Sequence, residues 1–186
     1  MRTRYHLIVG TFYVFVTSFF FVRADLNSLM YEKGDILYFL ISLALSLICL
    51  FLVNILLEYG KFRLNEMRLI NLVLLPVYAF ILFALPEEII FRYVIQGILL
   101  GGSVHPFWVI LLASVVYGFA HMLNGAGGMH PRVWNWRLVI MTTTLGVFLS
   151  ALYHVTSSLL LPIILHGIYI LIDQMFLSKK PVSIRI

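Results

Sequence analysis

Two adjacent carboxylates stand in a strongly apolar stretch, Leu85-Pro86-Glu87-Glu88-Ile89-Ile90-Phe91-Arg92. Ionisable groups inside a hydrophobic span are costly, and they face a partner or a cavity where they are kept. Glu88 and Arg92 are four residues apart, so they share a helix face in the order that favours an ion pair. Glu87 is rotated by about 100° from Glu88 and has no such local partner. One carboxylate is therefore held by Arg92, and the other is free to act as a base. The plainer alternative is a structural ion pair beside one interfacial glutamate.

Two histidines stand in later apolar runs, one at the end of Val116-Tyr117-Gly118-Phe119-Ala120-His121 and one in Leu161-Pro162-Ile163-Ile164-Leu165-His166-Gly167. Either alone fits a packing residue bonded to a backbone carbonyl. Counted at about 1.5 Å per residue from the outer ends of their helices, Glu87 lies roughly 21 Å deep, His121 roughly 24 Å and His166 roughly 14 Å. All three fall in the middle or inner half of a bilayer, so three helices can aim a carboxylate and two imidazoles at one place. Such a group activates water for attack on a carbonyl. It does so either as a base with histidines stabilising the oxyanion, or around a divalent metal.

The elements that must position these groups follow from the composition: 62% of the residues are hydrophobic and 11% are charged. Soluble domains carry about 25% charged residues. The chain reads as an all-α, polytopic transmembrane bundle forming a single membrane domain over residues 1–186. Candidate spans are 6–22, 36–57, 71–100, 105–123, 138–155 and 159–177. The third is long and contains Pro76 and Pro86, which predict a kink or a break. Arg2 and Arg4 precede the first run, which reads as a retained span rather than a cleaved signal. Lys and Arg recur in 58–68, 124–137 and the tail, whereas 101–105 and 156–158 carry none. The positive-inside rule then gives six crossings, provided 71–100 counts once, with both termini cytoplasmic in a cell membrane. The net charge of +5 is that of anchors on an anionic membrane face, and no nucleic-acid partner is expected. The single Cys49 lies in an apolar run and reads as packing.

Glu87-Glu88-x-x-x-Arg92, then Tyr117-x-x-x-His121, then His166 in a late span resemble the ordered motifs of the CPBP intramembrane proteases, also called the Abi or CAAX prenyl protease type II family. The resemblance covers about residues 85–175, taken as the catalytic core. It implies Glu87 as the water-activating base, Glu88 with Arg92 as its support, and His121 and His166 as oxyanion or metal groups. The metal set it implies is Glu87, His121 and His166 around a divalent ion such as zinc, with a metal-free glutamate mechanism also open. The family commonly has Asn or Asp four residues after its last histidine, where this chain has Ile170. Asn124 and Asp173 are the polar residues near enough to supply what Ile170 lacks, although Asp173 reads rather as an interfacial helix-end charge.

The expected function is intramembrane endopeptidase cleavage of a peptide or membrane-protein substrate. The alternative is a non-enzymatic membrane protein of bacteriocin self-immunity on the same fold. A proton-coupled transporter using Glu87, His121 and His166 as a relay is a third reading, although no inverted repeat is visible. His105, His130 and His154 read as interfacial, as do Trp108, Trp134 and Trp136. Thr142, Thr143 and Thr144 read as helix-packing groups, and Gly118 and Gly146 as points of close helix approach.

Overall fold

A computed structural model describes residues 35–57, 60–62, 74–122 and 134–179. The expected first span at 6–22, and Asn124 and His130, lie outside the described residues. Among those described, the apolar runs form five helices: α1 Asp35–Leu57, α2 Leu74–Leu100, α3 Pro106–Ala120, α4 Trp136–Thr156 and α5 Leu160–Phe176. Three of them, α1, α2 and α4, are long and apolar enough to cross a membrane, while α3 and α5 are apolar but shorter. At 15 and 17 residues, the shorter two reach about 22 and 26 Å, less than the roughly 30 Å of a hydrocarbon layer. Several helices of this kind make a multi-pass membrane protein.

The helix ends follow local chemistry. His105 caps α3, its Nδ1 accepting the Phe107 N–H at 3.3 Å, and Pro106 opens the helix where no N–H is needed. Asn135 caps α4 by accepting the Leu138 N–H at 3.2 Å. Ser157 ends α4 in the left-handed region at φ 53°, and its N–H returns to the Tyr153 carbonyl at 2.8 Å.

The two prolines do not divide α2. Its backbone is π-helical over Val77–Ala84 and again over Ile89–Gln96, with one α-helical turn, Leu85–Glu88, between them. The Leu85 N–H reaches back five residues to the Phe80 carbonyl, whereas the Ile89 N–H bonds Leu85 and Pro86. Pro86 thus sits where the hydrogen-bond register changes, which absorbs its missing N–H. Glu87 and Glu88 occupy that single turn between two widened segments.

Helix α4 is the centre of the packing, touching α1, α2, α3 and α5. Leu145, Leu149 and Leu152 on α4 meet Leu50 of α1 and Leu161 and Leu165 of α5. A second cluster joins Ala84 and Ile89 of α2 to Leu159 and Ile163, with Ile170 packed against it. Helices α3 and α4 approach most closely where side chains are smallest. A Cβ on Gly118 would overlap the Thr143 hydroxyl, and one on Gly146 would stand 3.1 Å from the Tyr117 ring. The outer faces carry large apolar groups such as Leu37, Leu56 and Ile98, which only lipid can cover without penalty. A three-residue antiparallel pair, β1 Gly60–Phe62 with β2 Leu177–Lys179, ties the chain just after α1 to the chain just after α5. It puts the ends of these two helices at the same end of the bundle.

Candidate active site

The geometry begins on α2, where the Glu88 Oε2 accepts from the Arg92 Nε at 2.8 Å with both side chains wholly buried. This is the pair expected from their spacing. Its surroundings were not legible in the sequence. Arg92 also donates from Nη1 to the Ser150 Oγ of α4 at 3.1 Å. The Ser150 hydroxyl lies 3.3 Å from that of Ser114 on α3. Gln96, one turn beyond Arg92, donates to the Ser150 carbonyl at 2.9 Å. The guanidinium carbon lies 4.9 Å from the centre of the Tyr117 ring, in cation–π contact. A buried charge removed from water is tolerated only when it is held on several sides in this way.

The second Glu88 oxygen reaches α5, where His166 Nδ1 stands 2.8 Å from Oε1. A carboxylate paired with Arg92 is an acceptor, so the hydrogen of this bond belongs to Nδ1. That leaves the His166 Nε2 lone pair facing the other way, where the Tyr117 hydroxyl lies 3.1 Å from it. His121 is fixed in the same sense. Its Nδ1 is 2.9 Å from the Tyr117 carbonyl, which only accepts, so Nδ1 donates and Nε2 faces inward.

Both Nε2 atoms face Glu87. Its Oε2 is 3.5 Å from that of His121 and 3.8 Å from that of His166. This oxygen is buried and has no hydrogen-bond donor among the described residues. The three side chains expected to converge therefore do so, although the depths counted along the chain set His121 and His166 roughly 10 Å apart. The count took the turn before α5 to be at the outer surface. At that turn Ser157 is exposed, whereas Ser158 and Leu159 are buried.

A family model described as "Type II CAAX prenyl endopeptidase Rce1-like" matches residues 69–172, more than half of the chain. The chain belongs to this family. No curated protein and no solved structure matches it. Membership in the Rce1-like family brings a protease fold embedded in a bilayer, and with it a protein or peptide substrate. All five ionisable residues singled out in the sequence, Glu87, Glu88, Arg92, His121 and His166, fall within the matched segment and meet in one buried group.

The donor types suit a divalent ion: two imidazole nitrogens and a carboxylate oxygen face one another, and each ring is tied back through Nδ1. Among the described residues, however, no three such side chains are already gathered to hold an ion. An ion bound by Glu87, His121 and His166 would require the Tyr117 hydroxyl to yield the His166 Nε2.

Of the two residues weighed against the departure at Ile170, Asp173 is buried on α5 seven residues beyond His166. Ile170 itself packs against the apolar cluster of Ala84, Ile89, Leu159 and Ile163. His105 serves as a helix cap, and Trp108 and Trp136 are exposed to the surroundings of the bundle. Thr142 and Thr144 bond the carbonyls of their own helix, while Thr143 meets Gly118.

Sequence reasoning passed over Ser114, Ser150, Gln96 and the hydroxyl of Tyr117. The signals were weak but present. Gln96 repeats the four-residue spacing from Arg92, and Tyr117 carries a hydroxyl at a position read only as aromatic.

Proposed function

We propose that this protein is an intramembrane endopeptidase in which Glu87 activates the attacking water. The observation that carries the proposal is the Glu87 Oε2, a buried carboxylate oxygen with no hydrogen-bond donor among the described residues, 3.5 and 3.8 Å from two inward-facing imidazole nitrogens. A structural carboxylate at this burial is expected to be paired, as Glu88 is. Glu87 instead offers a basic oxygen beside groups that can hold a water molecule and a polarised carbonyl.

In the proposed reaction a water gives one proton to Glu87 as its oxygen bonds the scissile carbonyl carbon. The carbonyl oxygen becomes an oxyanion within the same buried group, where it needs a hydrogen-bond donor or a cation. The C–N bond then breaks, and the proton held on Glu87 passes to the departing amine. Glu88 and Arg92 act by fixing His166, whose Nδ1 they anchor. A divalent ion held by Glu87, His121 and His166 would supply Lewis-acid polarisation in addition. The substrate is a peptide or membrane-protein segment reaching the site from the bilayer, with the protein in the cell membrane and both termini cytoplasmic. The catalytic unit corresponds to about residues 85–175 of a single membrane domain.

The experiment is cleavage of a random quenched-fluorescent peptide library by the purified protein in detergent, for wild type and Glu87→Gln, with and without chelator. Loss of the base is expected to lower turnover by about 10²–10⁴-fold, with detergent stability unchanged. Equal cleavage by Glu87→Gln would remove the proposal, and so would a wild type that cleaves nothing. Chelator sensitivity reports on the ion. A non-enzymatic immunity protein, the reading suggested by apolar Ile170, would keep its cellular phenotype in Glu87→Gln.

A further inference from the structure

Among the described residues, the Tyr117 hydroxyl is the one neutral O–H at the meeting point of Glu87, His166 and His121, and we infer that it is the donor that binds the carbonyl oxygen of the substrate as that oxygen gains charge. The inference rests on the protease reading above and adds to it a role for the hydroxyl of Tyr117, a position the motif uses only as an aromatic residue.

Three observations lead to it. First, the hydrogen-bond directions around His166 form a single ordered chain. Arg92 donates to Glu88, Glu88 accepts from His166 Nδ1, and His166 Nε2 accepts from the Tyr117 hydroxyl at 3.1 Å. The Tyr117 O–H is the free end of that chain, and Glu87 faces the same hydroxyl. Second, every other polar atom that faces Glu87 from His121 and His166 is an Nε2 whose ring already uses its hydrogen at Nδ1. With the ring hydrogen at Nδ1, each Nε2 accepts, and it donates only after the ring takes up a second proton. A developing oxyanion needs a donor, and Tyr117 supplies one without a change of protonation. Third, the phenol is held from all sides. Its ring is 5.0 Å from Phe91, edge to face, 4.7 Å from the His121 ring and 4.9 Å from the Arg92 guanidinium carbon. It also lies against Gly146, where a Cβ would press at 3.1 Å. A donor fixed before substrate arrives loses nothing to reorganisation during the reaction.

The exchange of partners is simple. A phenolic hydrogen turns about its C–O bond without moving the ring. The attacking water has two hydrogens, one for Glu87 Oε2 and one for an Nε2 nearby. When water takes over the His166 Nε2, the Tyr117 O–H is released toward the carbonyl oxygen. No proton leaves Tyr117, and no additional reactant is needed.

The test uses the fastest-cleaved peptide of the random library in two forms, with oxygen or sulfur at the scissile carbonyl, on wild type and Tyr117→Phe. Loss of the hydroxyl is expected to lower kcat by about 10²–10³-fold, the usual effect of one lost oxyanion donor, with KM unchanged. Sulfur is a poor hydrogen-bond acceptor, so the thioamide should slow wild type strongly and Tyr117→Phe little further. A merely structural role for the hydroxyl would leave the two effects multiplicative, and that result overturns the inference. So does full activity of Tyr117→Phe, or a wild type indifferent to the thioamide, a measurement that needs no variant to fold. A wild type that cleaves neither form refutes the protease reading itself, and the assignment of Tyr117 falls with it.

Discussion

Replacing Arg92 by methionine removes one half of a wholly buried ion pair while keeping much of the side-chain volume. Two hydrogen bonds go with the guanidinium: the 2.8 Å bond to Glu88 and the 3.1 Å bond to Ser150. Both bonds involve the charged guanidinium, and each bond of that kind contributes about 1.5–3 kcal/mol. Their sum, about 3–6 kcal/mol, overlaps the roughly 3–5 kcal/mol found when one partner of a buried pair is removed. The larger part of that cost is the Glu88 charge left behind, which keeps the His166 N–H as its donor among the described residues. Glu88→Gln in the same chain takes that charge away. The double variant is therefore expected to be more stable than Arg92→Met alone, with a coupling of about 2–3 kcal/mol. Unfolding in detergent, followed by the fluorescence of Trp108, Trp134 and Trp136, gives the four corners of the cycle, and peptide cleavage is measured on the same samples. Activity should stay low in the double variant, because His166 loses its anionic partner. Stability of Arg92→Met within about 0.5 kcal/mol of wild type would refute the reasoning, as would strict additivity of the two changes.

Gly167→Ala places a methyl group into the ring of Phe80, so α5 and the first π-helical segment of α2 must separate, and with them His166 and Glu87. Cleavage should fall sharply and recover at least in part in Gly167→Ala/Phe80→Ala, measured by turnover with unfolding as the control. Gly118→Ala meets Thr143 and the Val139 carbonyl across the α3–α4 contact. A loss of about 1–3 kcal/mol is expected, and adding Thr143→Ala should relieve it only in part, because the Val139 carbonyl stays in place. Ser150→Ala deprives Arg92 Nη1 of its acceptor while Nη2 already has none among the described residues. A stability loss of about 1–3 kcal/mol is expected, with a smaller effect on cleavage than that of Glu87→Gln.

What the chain determined by itself is what lies along single helices. The apolar lengths placed α1, α2 and α4 within two or three residues of their observed ends, because lipid demands long runs without charge. The pairing of Glu88 with Arg92 and the separation of Glu87 from it were legible because a four-residue spacing is a property of one helix. The group Glu87, His121 and His166 was legible as a set of costly residues, but not as a geometry. Only the tertiary structure decided that His166 is held by Glu88 while its other nitrogen faces Glu87, that Arg92 reaches Ser150, and that one tyrosine touches both histidines. Those facts depend on how far α5 is sunk beside α2 and how each helix is turned about its axis. Close contacts at Gly118, Gly146 and Gly167 set these values, and no periodicity along one helix carries information about its rotation against another.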